Sequence, residues 1–331
     1  MIIKLYPILR ENPRVITTLT HLWNVSCGPE FTVTEAFLRY NLRPTTGGLQ
    51  EGRIVYHGQT PVGFVLASAL PEVPETLYPV TPGWIDALVV APEAQYKGFG
   101  TQLLLWAEAW LAAQEVERIF VAGSLRSFMP GVPESFSHTR RFFTNHGYTV
   151  EGRSWDVARD LGEGPSFRRY PPQELAPIRP ATPDDLEALR DFFARAFPGR
   201  WRFEVEEFLR EGGRIADILI LEQDERVEGF CWITREDSLR PLDRFYMHRL
   251  PKPWGQLGPI GVSESVRGQG WGGRLLQAGL THLADHGVRG CVIDWTELLD
   301  FYGKFGFEPY HCYHMMTKQL KMTNDKMENG E

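Results

Sequence analysis

The sequence predicts an α+β protein built from two tandem copies of one fold. Three observations carry that expectation. A stretch rich in Pro, Gly and charge, "LGEGPSFRRYPPQELAPIRPATPDD" (residues 161–185), lies near the middle of the 331-residue chain. The same order of helix-like and strand-like runs stands on each side of it. On each side a glycine-bearing turn also joins an apolar strand to an apolar helix.

The second copy starts near residue 176. Ile178 ends a short strand, Thr182 suits an N-cap, Pro183 takes the first helical position and Asp185 completes a capping-box-like pattern. Leu186, Leu189, Phe192 and Phe193 then fall on one helical face. "ADILILEQDERVEGFCWIT" reads as a hairpin turning at Asp224 and Glu225, and "RIVYHGQTPVGFVLASA" does the same around His57 and Gly58. A strand follows in each half ("IDALVV"; "GPIGV"), then a glycine loop. Next comes an amphipathic helix, with Leu275, Leu276, Leu280 and Leu283 on one side in the second half. A further strand and a short helix ending in an aromatic–glycine signature close each copy. The expected domains are 1–165 and 176–320, with a polar, aperiodic and disordered tail over 321–331.

Composition narrows the class. Hydrophobic residues make up 43% and charged residues 23%, ordinary for a globular protein. No apolar run approaches the ~18 residues of a membrane span, and the N-terminus carries no signal-peptide pattern. Cys27, Cys231, Cys291 and Cys312 have no framework spacing, as expected of reduced thiols in a cytoplasmic protein. A net charge of −7 argues against a nucleic-acid binder.

The loop "VRGQGWGGRLL" (residues 266–276) fits two phosphate-binding patterns. Gly268, Gly270 and Gly273 match G-x-G-x-x-G, with Asp294 about twenty residues on, as in a dinucleotide fingerprint. Two features oppose that reading: "SESVR" separates Val262 from the first glycine, and the first half ("VAPEAQYKGFGTQLL") lacks that glycine. The halves share instead [R/Q]-x-x-G-x-G, beginning five residues after Val90 and Val262, with Gln95 matching Arg267 at an offset of 172.

With "DFYGKFGFEPY", whose tyrosine lies 35 residues beyond Arg267, and the looser "RRFFTNHGYTV" of the first half, the chain resembles the GNAT superfamily of N-acetyltransferases from about residue 3 to 318. The resemblance implies two tandem domains, each a central mixed, mostly antiparallel sheet flanked by helices. It also implies acetyl-CoA as co-substrate, with no metal. The backbone amides of the loop and the helix N-terminus suit the coenzyme A pyrophosphate. In the second half this site comprises Ile260, Val262, Arg267, Gly268, Gln269, Gly270, Trp271 and Gly272; in the first, Gln95, Gly98 and Gly100. Arg267 either adds charge or points away and holds the loop.

The resemblance places Tyr302 where a phenol protonates the departing thiolate; the alternative is a half-buried aromatic with an idle hydroxyl. The matching residue of the first half is Phe143, which cannot donate, and its loop-to-helix interval is 48 residues against 35. The first half is therefore expected to be a structural partner that can still hold coenzyme A, and the second to be catalytic. The strand before the second loop offers only Gln256 where many relatives carry a glutamate, whereas the first half has Asp86 there. Asp294 is the best-placed carboxylate of the second half, ahead of His248, His311 and His314, and a water chain is a further route. "HCYH" (residues 311–314) invites zinc, but strand alternation sets Cys312 opposite the histidines and no second ligand pair has suitable spacing.

The expected acceptor is the primary amine of a small molecule. Phe245, Tyr246, His248, Trp254 and Trp295 form a candidate aromatic wall; filling the core is their other reading. Superfamily members built of two such domains include glucosamine-type amino-sugar acetyltransferases and mycothiol synthases. The alternatives are an acyl-CoA-binding sensor or degenerate enzyme, and a protein or peptide N-acetyltransferase. The expected assembly is a monomer with an internal pseudo-dimer, or a homodimer, with no nucleic-acid or membrane partner.

Overall fold

The computed structural model describes residues 3–72, 77–162, 169–242 and 249–320. The chain divides into two compact units, residues 1–153 with 313–331, and residues 154–312. This differs from the sequential division at 165–176. Each half ends in one 12-residue strand, β7 (Thr149–Asp160) and β13 (Glu308–Gln319), and each strand begins in one unit and finishes in the other. The expected tail over 321–331 lies outside the described residues.

In unit 1 the strands β1 (Leu5–Pro7), β2 (Leu49–His57), β3 (Thr60–Ala69), β4 (Pro82–Val90) and β5 (Arg118–Val121) pair in that order. The β13 residues Met316–Gln319 then pair antiparallel with β5. Only the β4–β5 pairing among these is parallel. Helix α1 (Pro13–Cys27) begins at Asn12, whose side chain accepts the Arg14 amide with Pro13 at the first helical position. The remaining helices are α2 (Glu35–Asn41), α3 (Phe99–Ala113) and α4 (Ser137–Asn145). Leu103, Leu104, Ala107 and Leu111 of α3 pack with Val65, Ile85, Ile119 and Met316 in one core.

Unit 2 repeats the plan. β8 (Ile178–Pro180), β9 (Ile218–Gln223), β10 (Arg226–Arg235), β11 (Trp254–Val262) and β12 (Gly290–Thr296) pair in order, and the β7 residues Trp155–Asp160 complete the sheet against β12. The parallel junction is β11–β12. The Asp224–Glu225 turn has φ of 49° and 60° at its two residues, the left-handed pair that a two-residue hairpin requires. The Thr182–Asp185 capping box forms as expected. Two cores back the sheet: one under α6 (Leu186–Ala196) and α7 (Arg200–Arg210), the other under α8 (Trp271–Asp285). All four predicted leucines of α8 are fully buried. Linker residues bind along α8, where the Gln277 side-chain oxygen accepts the Tyr170 amide at 2.8 Å.

Candidate active sites

Each unit opens its sheet at the parallel junction. β11 pairs with β12 only through Trp254–Gln256, opposite Gly290–Val292. β4 pairs with β5 only through Pro82–Ile85, opposite Arg118–Val121. Just past each last pair the register against the preceding strand breaks, at Asp86 in β4 and at Gly258–Pro259 in β11. From there each central strand presents unpaired backbone groups toward the gap.

The glycine loops close these gaps at one end. Gly98 and Gly270 are the N-caps of α3 and α8, with φ of 84° and 82°. A side chain in that left-handed conformation is strained, so glycine is required. Gly268 has φ of 76° and open space where a Cβ would stand. Gly100 and Gly272 follow in the first helical turns. The side chains flanking the glycines serve the loop itself: Gln95 Nε2 donates to the Val90 carbonyl at 3.1 Å, and Gln269 Nε2 to that of Ser265 at 3.2 Å. Arg267 is exposed. Trp271 opens α8 with Arg274 over its ring at 4.9 Å. Ile260 and Val262 are partly buried against the α8 core.

An anchor that sequence reasoning missed holds the second loop. Glu228 on β10 accepts the hydroxyls of Ser263 and Ser265 and pairs with Arg195 at 3.3 Å. Burial opposes its ionisation, but the Ser263 hydroxyl and the Arg195 guanidinium outweigh that and hold its carboxyl below the usual range. The sequence signal was slight, an acidic residue in an otherwise apolar strand.

Tyr302 lies on α9 (Leu299–Gly303), 5% exposed, in the same core as Leu257, Ile260 and Val262. Its hydroxyl shares a hydrogen bond with Thr296, while burial, Cys231 and Asp294 push its pKa up. The phenol is therefore a proton donor at neutral pH. Asp294 is half-buried on β12. Of the other proposed bases, His311 stands 3.5 Å from the buried Asp156. His314 belongs to unit 1, where burial, Arg140 and Arg153 lower its pKa. His248 lies outside the described residues, as do Phe245 and Tyr246.

Trp254 does not join an aromatic wall: it is buried, with its indole N–H donated to the Leu250 carbonyl at 3.2 Å. Trp295 is half-buried beneath Arg200, whose guanidinium lies 4.2 Å from the ring centre. Among the described residues no cluster of three or more His, Cys, Asp or Glu side chains is arranged to hold a metal. No helix among them is long and apolar enough to cross a membrane.

Unit 1 carries two adjoining cavities along its gap. One of about 370 Å³ runs past Gln95, Gly98, Gly100 and Phe142. A deeper one of about 270 Å³ shares Leu88, Val90 and Gln95 with it and reaches Asp86, Trp23 and Phe143. The dimensions and the unpaired strand edge suit an extended, amide-bearing arm such as pantetheine, with its phosphates at the loop.

A tandem fold with a glycine loop beside a splayed parallel junction in each half defines a class of acyl-group transferases. The chain belongs to the acetyltransferase (GNAT) family, whose profile matches residues 16–128 and 186–307. It is 30% identical over 238 residues to a mycothiol acetyltransferase of Saccharomonospora viridis, covering 68% of this chain and 71% of that protein. Among solved structures it resembles a glucosamine N-acetyltransferase region of a fungal multi-domain beta-N-acetylglucosaminidase (21% identity, TM-score 0.83). That match covers 96% of this chain, which spans 38% of the fungal one. A tandem GNAT protein from the clavulanic acid biosynthesis pathway aligns with 98% of this chain and 100% of its own length (16% identity, TM-score 0.70).

Proposed function

We propose that this protein transfers an acetyl group from acetyl-CoA to the primary amine of a small molecule, with the reaction centred in unit 2. The observation that carries the reading is the buried Tyr302 hydroxyl, hydrogen-bonded to Thr296 just past the last β11–β12 pair. In this reading the amides of Gly268–Gly272 and the N-terminus of α8 bind the pyrophosphate, and the free edge of β11 aligns the pantetheine arm. Tyr302 delivers the proton to the departing thiolate. Asp294 is the proposed acceptor of the amine's proton, directly or through water. The names of the mycothiol and glucosamine acetyltransferases support an amino sugar as the first acceptor to test.

The test is acetyl-CoA-dependent thiol release across amino sugars, polyamines, amino acids and short peptides, with wild type and Tyr302→Phe side by side. An amino sugar consumed by wild type, with kcat about a hundredfold lower in the variant, is the expected result. Amino-sugar turnover that survives the substitution overturns the assignment of Tyr302.

A further inference from the structure

Asp86 in unit 1 is a buried carboxylate that the proposed chemistry of unit 2 does not use. It is 2% exposed, sits at the register break of β4, and lines the deep end of the 270 Å³ cavity. Its oxygens accept from Gln50 Nε2 at 3.1 Å and Ser68 Oγ at 2.9 Å, and Ser124 is a third hydrogen-bond partner. Those three residues line a second cavity with Arg43 and Arg126. The carboxylate thus divides a groove shaped for an acyl-CoA arm from a polar chamber flanked by guanidinium groups. Into the same shell turns the Gln50 side-chain oxygen, buried without a hydrogen-bond partner.

We propose that unit 1 is a second acyl-transfer centre, in which Asp86 carries a proton from the attacking amine to the departing thiolate, and whose acceptor is a primary amine that also bears a carboxylate. The inference rests on the acyl-CoA reading above but not on Tyr302. The amine nitrogen attacks the thioester carbonyl carbon and a C–N bond forms. The tetrahedral nitrogen gives its surplus proton to Asp86. The C–S bond breaks, and Asp86 returns that proton to the thiolate, leaving an amide, a free thiol and an ionised Asp86. One group serves both ends of the transfer because Phe143, opposite it in the same cavity, has no proton to give.

The electrostatics agree. Burial raises the Asp86 pKa to about 6 against the lowering effects of Ser124, Ser68, Gln50 and Arg10, so near neutral pH the group is ionised yet close enough to its pKa to move protons both ways. The charged group facing it is Arg10, itself paired by charge with Glu51 and Glu11. A carboxylate-bearing acceptor follows from Arg43 and Arg126, whose guanidinium carbons lie 4.7 and 5.0 Å from the Tyr40 ring centre. Two guanidinium groups at a chamber mouth favour a planar anion. The chamber holds about 20 Å³, the room of roughly one water, and the exposed Arg43 side chain must swing out to admit the ligand.

The full chain should be assayed with acetyl-CoA and matched pairs of ω-amino acids and their amides, following thiol release and the N-acetyl product. Tyr302→Phe is expected to retain acetylation of the amino acids and to prefer them to the amides. Its rate should rise with pH through a midpoint near 6. Adding Asp86→Asn should lower that activity about a hundredfold or more. Arg43→Ala, exposed and safe for folding, should raise KM for the amino acids about tenfold with kcat unchanged.

If Tyr302→Phe is inactive on every amine while wild type is active, the second centre is refuted and the function proposed for unit 2 stands. If wild type acetylates no amine at all, both fall. Residual activity that ignores Asp86→Asn also refutes the proposal. Should that variant not fold, a flat pH profile with an unchanged KM in Arg43→Ala does so.

Discussion

The two units keep the same frame and differ in what they place inside it. Both cap the loop helix with a left-handed glycine, both leave the central strand unpaired after a short parallel junction, and both break register at that point. At the break unit 1 has Asp86 and unit 2 has Gly258–Pro259; on the short helix unit 1 has Phe143 and unit 2 has Tyr302. The hydroxyl six residues into or past the β5/β12 start follows the reactive group. Ser124 serves the carboxylate in unit 1, and Thr296 the phenol in unit 2. Duplication has preserved the binding geometry, which depends on backbone, while the proton-transfer groups, which depend on single side chains, have diverged.

The largest expected effect separates the two reactive groups. Tyr302→Phe should cut kcat for the amine used by unit 2 by a factor of roughly 10²–10³ while leaving acetyl-CoA binding intact. Calorimetry with acetyl-CoA checks the second half of that statement. A loss of binding that parallels the loss of rate would mean that Tyr302 supports the groove and not the chemistry.

The shared frame can be broken one unit at a time. Gly98→Ala and Gly270→Ala each force a side chain into φ near +80°, which costs about 1–2 kcal/mol and turns a methyl toward the phosphate path. Each is expected to weaken acetyl-CoA about tenfold at its own unit, so that two binding sites become one tight and one weak. An isotherm with a single site in wild type, unmoved by Gly98→Ala, would deny unit 1 any part in binding.

The parts of this comparison that were legible in sequence are the local ones. The glycine loops, the Thr182 capping box, the hairpin at Asp224–Glu225 and the leucine face of α8 depend on neighbours within one or two turns, and each was found. The surroundings of Asp86 were not, because Gln50, Ser68 and Ser124 are brought to it by three different elements from up to 38 residues away. Asp86 was noticed only as a carboxylate without a tyrosine. The passage of β7 and β13 from one unit to the other was equally hidden, since alternation shows that a strand needs partners but not which sheet supplies them. Trp254 misled for a related reason: an aromatic in a polar segment reads as a surface, and burial reversed it.

Acid should act on the units in opposite senses. Asp86 has a folded pKa of about 6 against an unfolded value near 3.8, so its ionisation costs stability at neutral pH, and that cost is recovered as pH falls through 6. Asp185 and Glu228 of unit 2 have depressed folded values; their contribution is complete above about pH 4–5 and is lost as pH falls below it. Asp86→Asn should therefore raise Tm at pH 7 by a few degrees and lose that advantage at pH 5. An unchanged Tm at both pH values would mean that the buried carboxylate is already neutral or fully compensated.

The smallest expected effect tests whether the second loop is set from below. Glu228 reaches Ser263 and Ser265 and is itself oriented by Arg195; the matching contact in unit 1 is made by backbone alone, Ala91 N–H to the Val62 carbonyl at 2.8 Å. Glu228→Gln keeps the size of the side chain and one acceptor but removes the charge that two hydroxyls and a guanidinium share. Losing one charge-assisted hydrogen bond is worth about 1 kcal/mol or slightly more, so KM for acetyl-CoA at unit 2 should rise about fivefold. The rate at saturation and the affinity of unit 1 should stay as they were. A fall in kcat would place Glu228 nearer the reacting atoms than the loop geometry does. No change at all would show that the backbone bond between Ser263 and Glu228, also present at 2.9 Å, suffices in unit 2 as its counterpart does in unit 1.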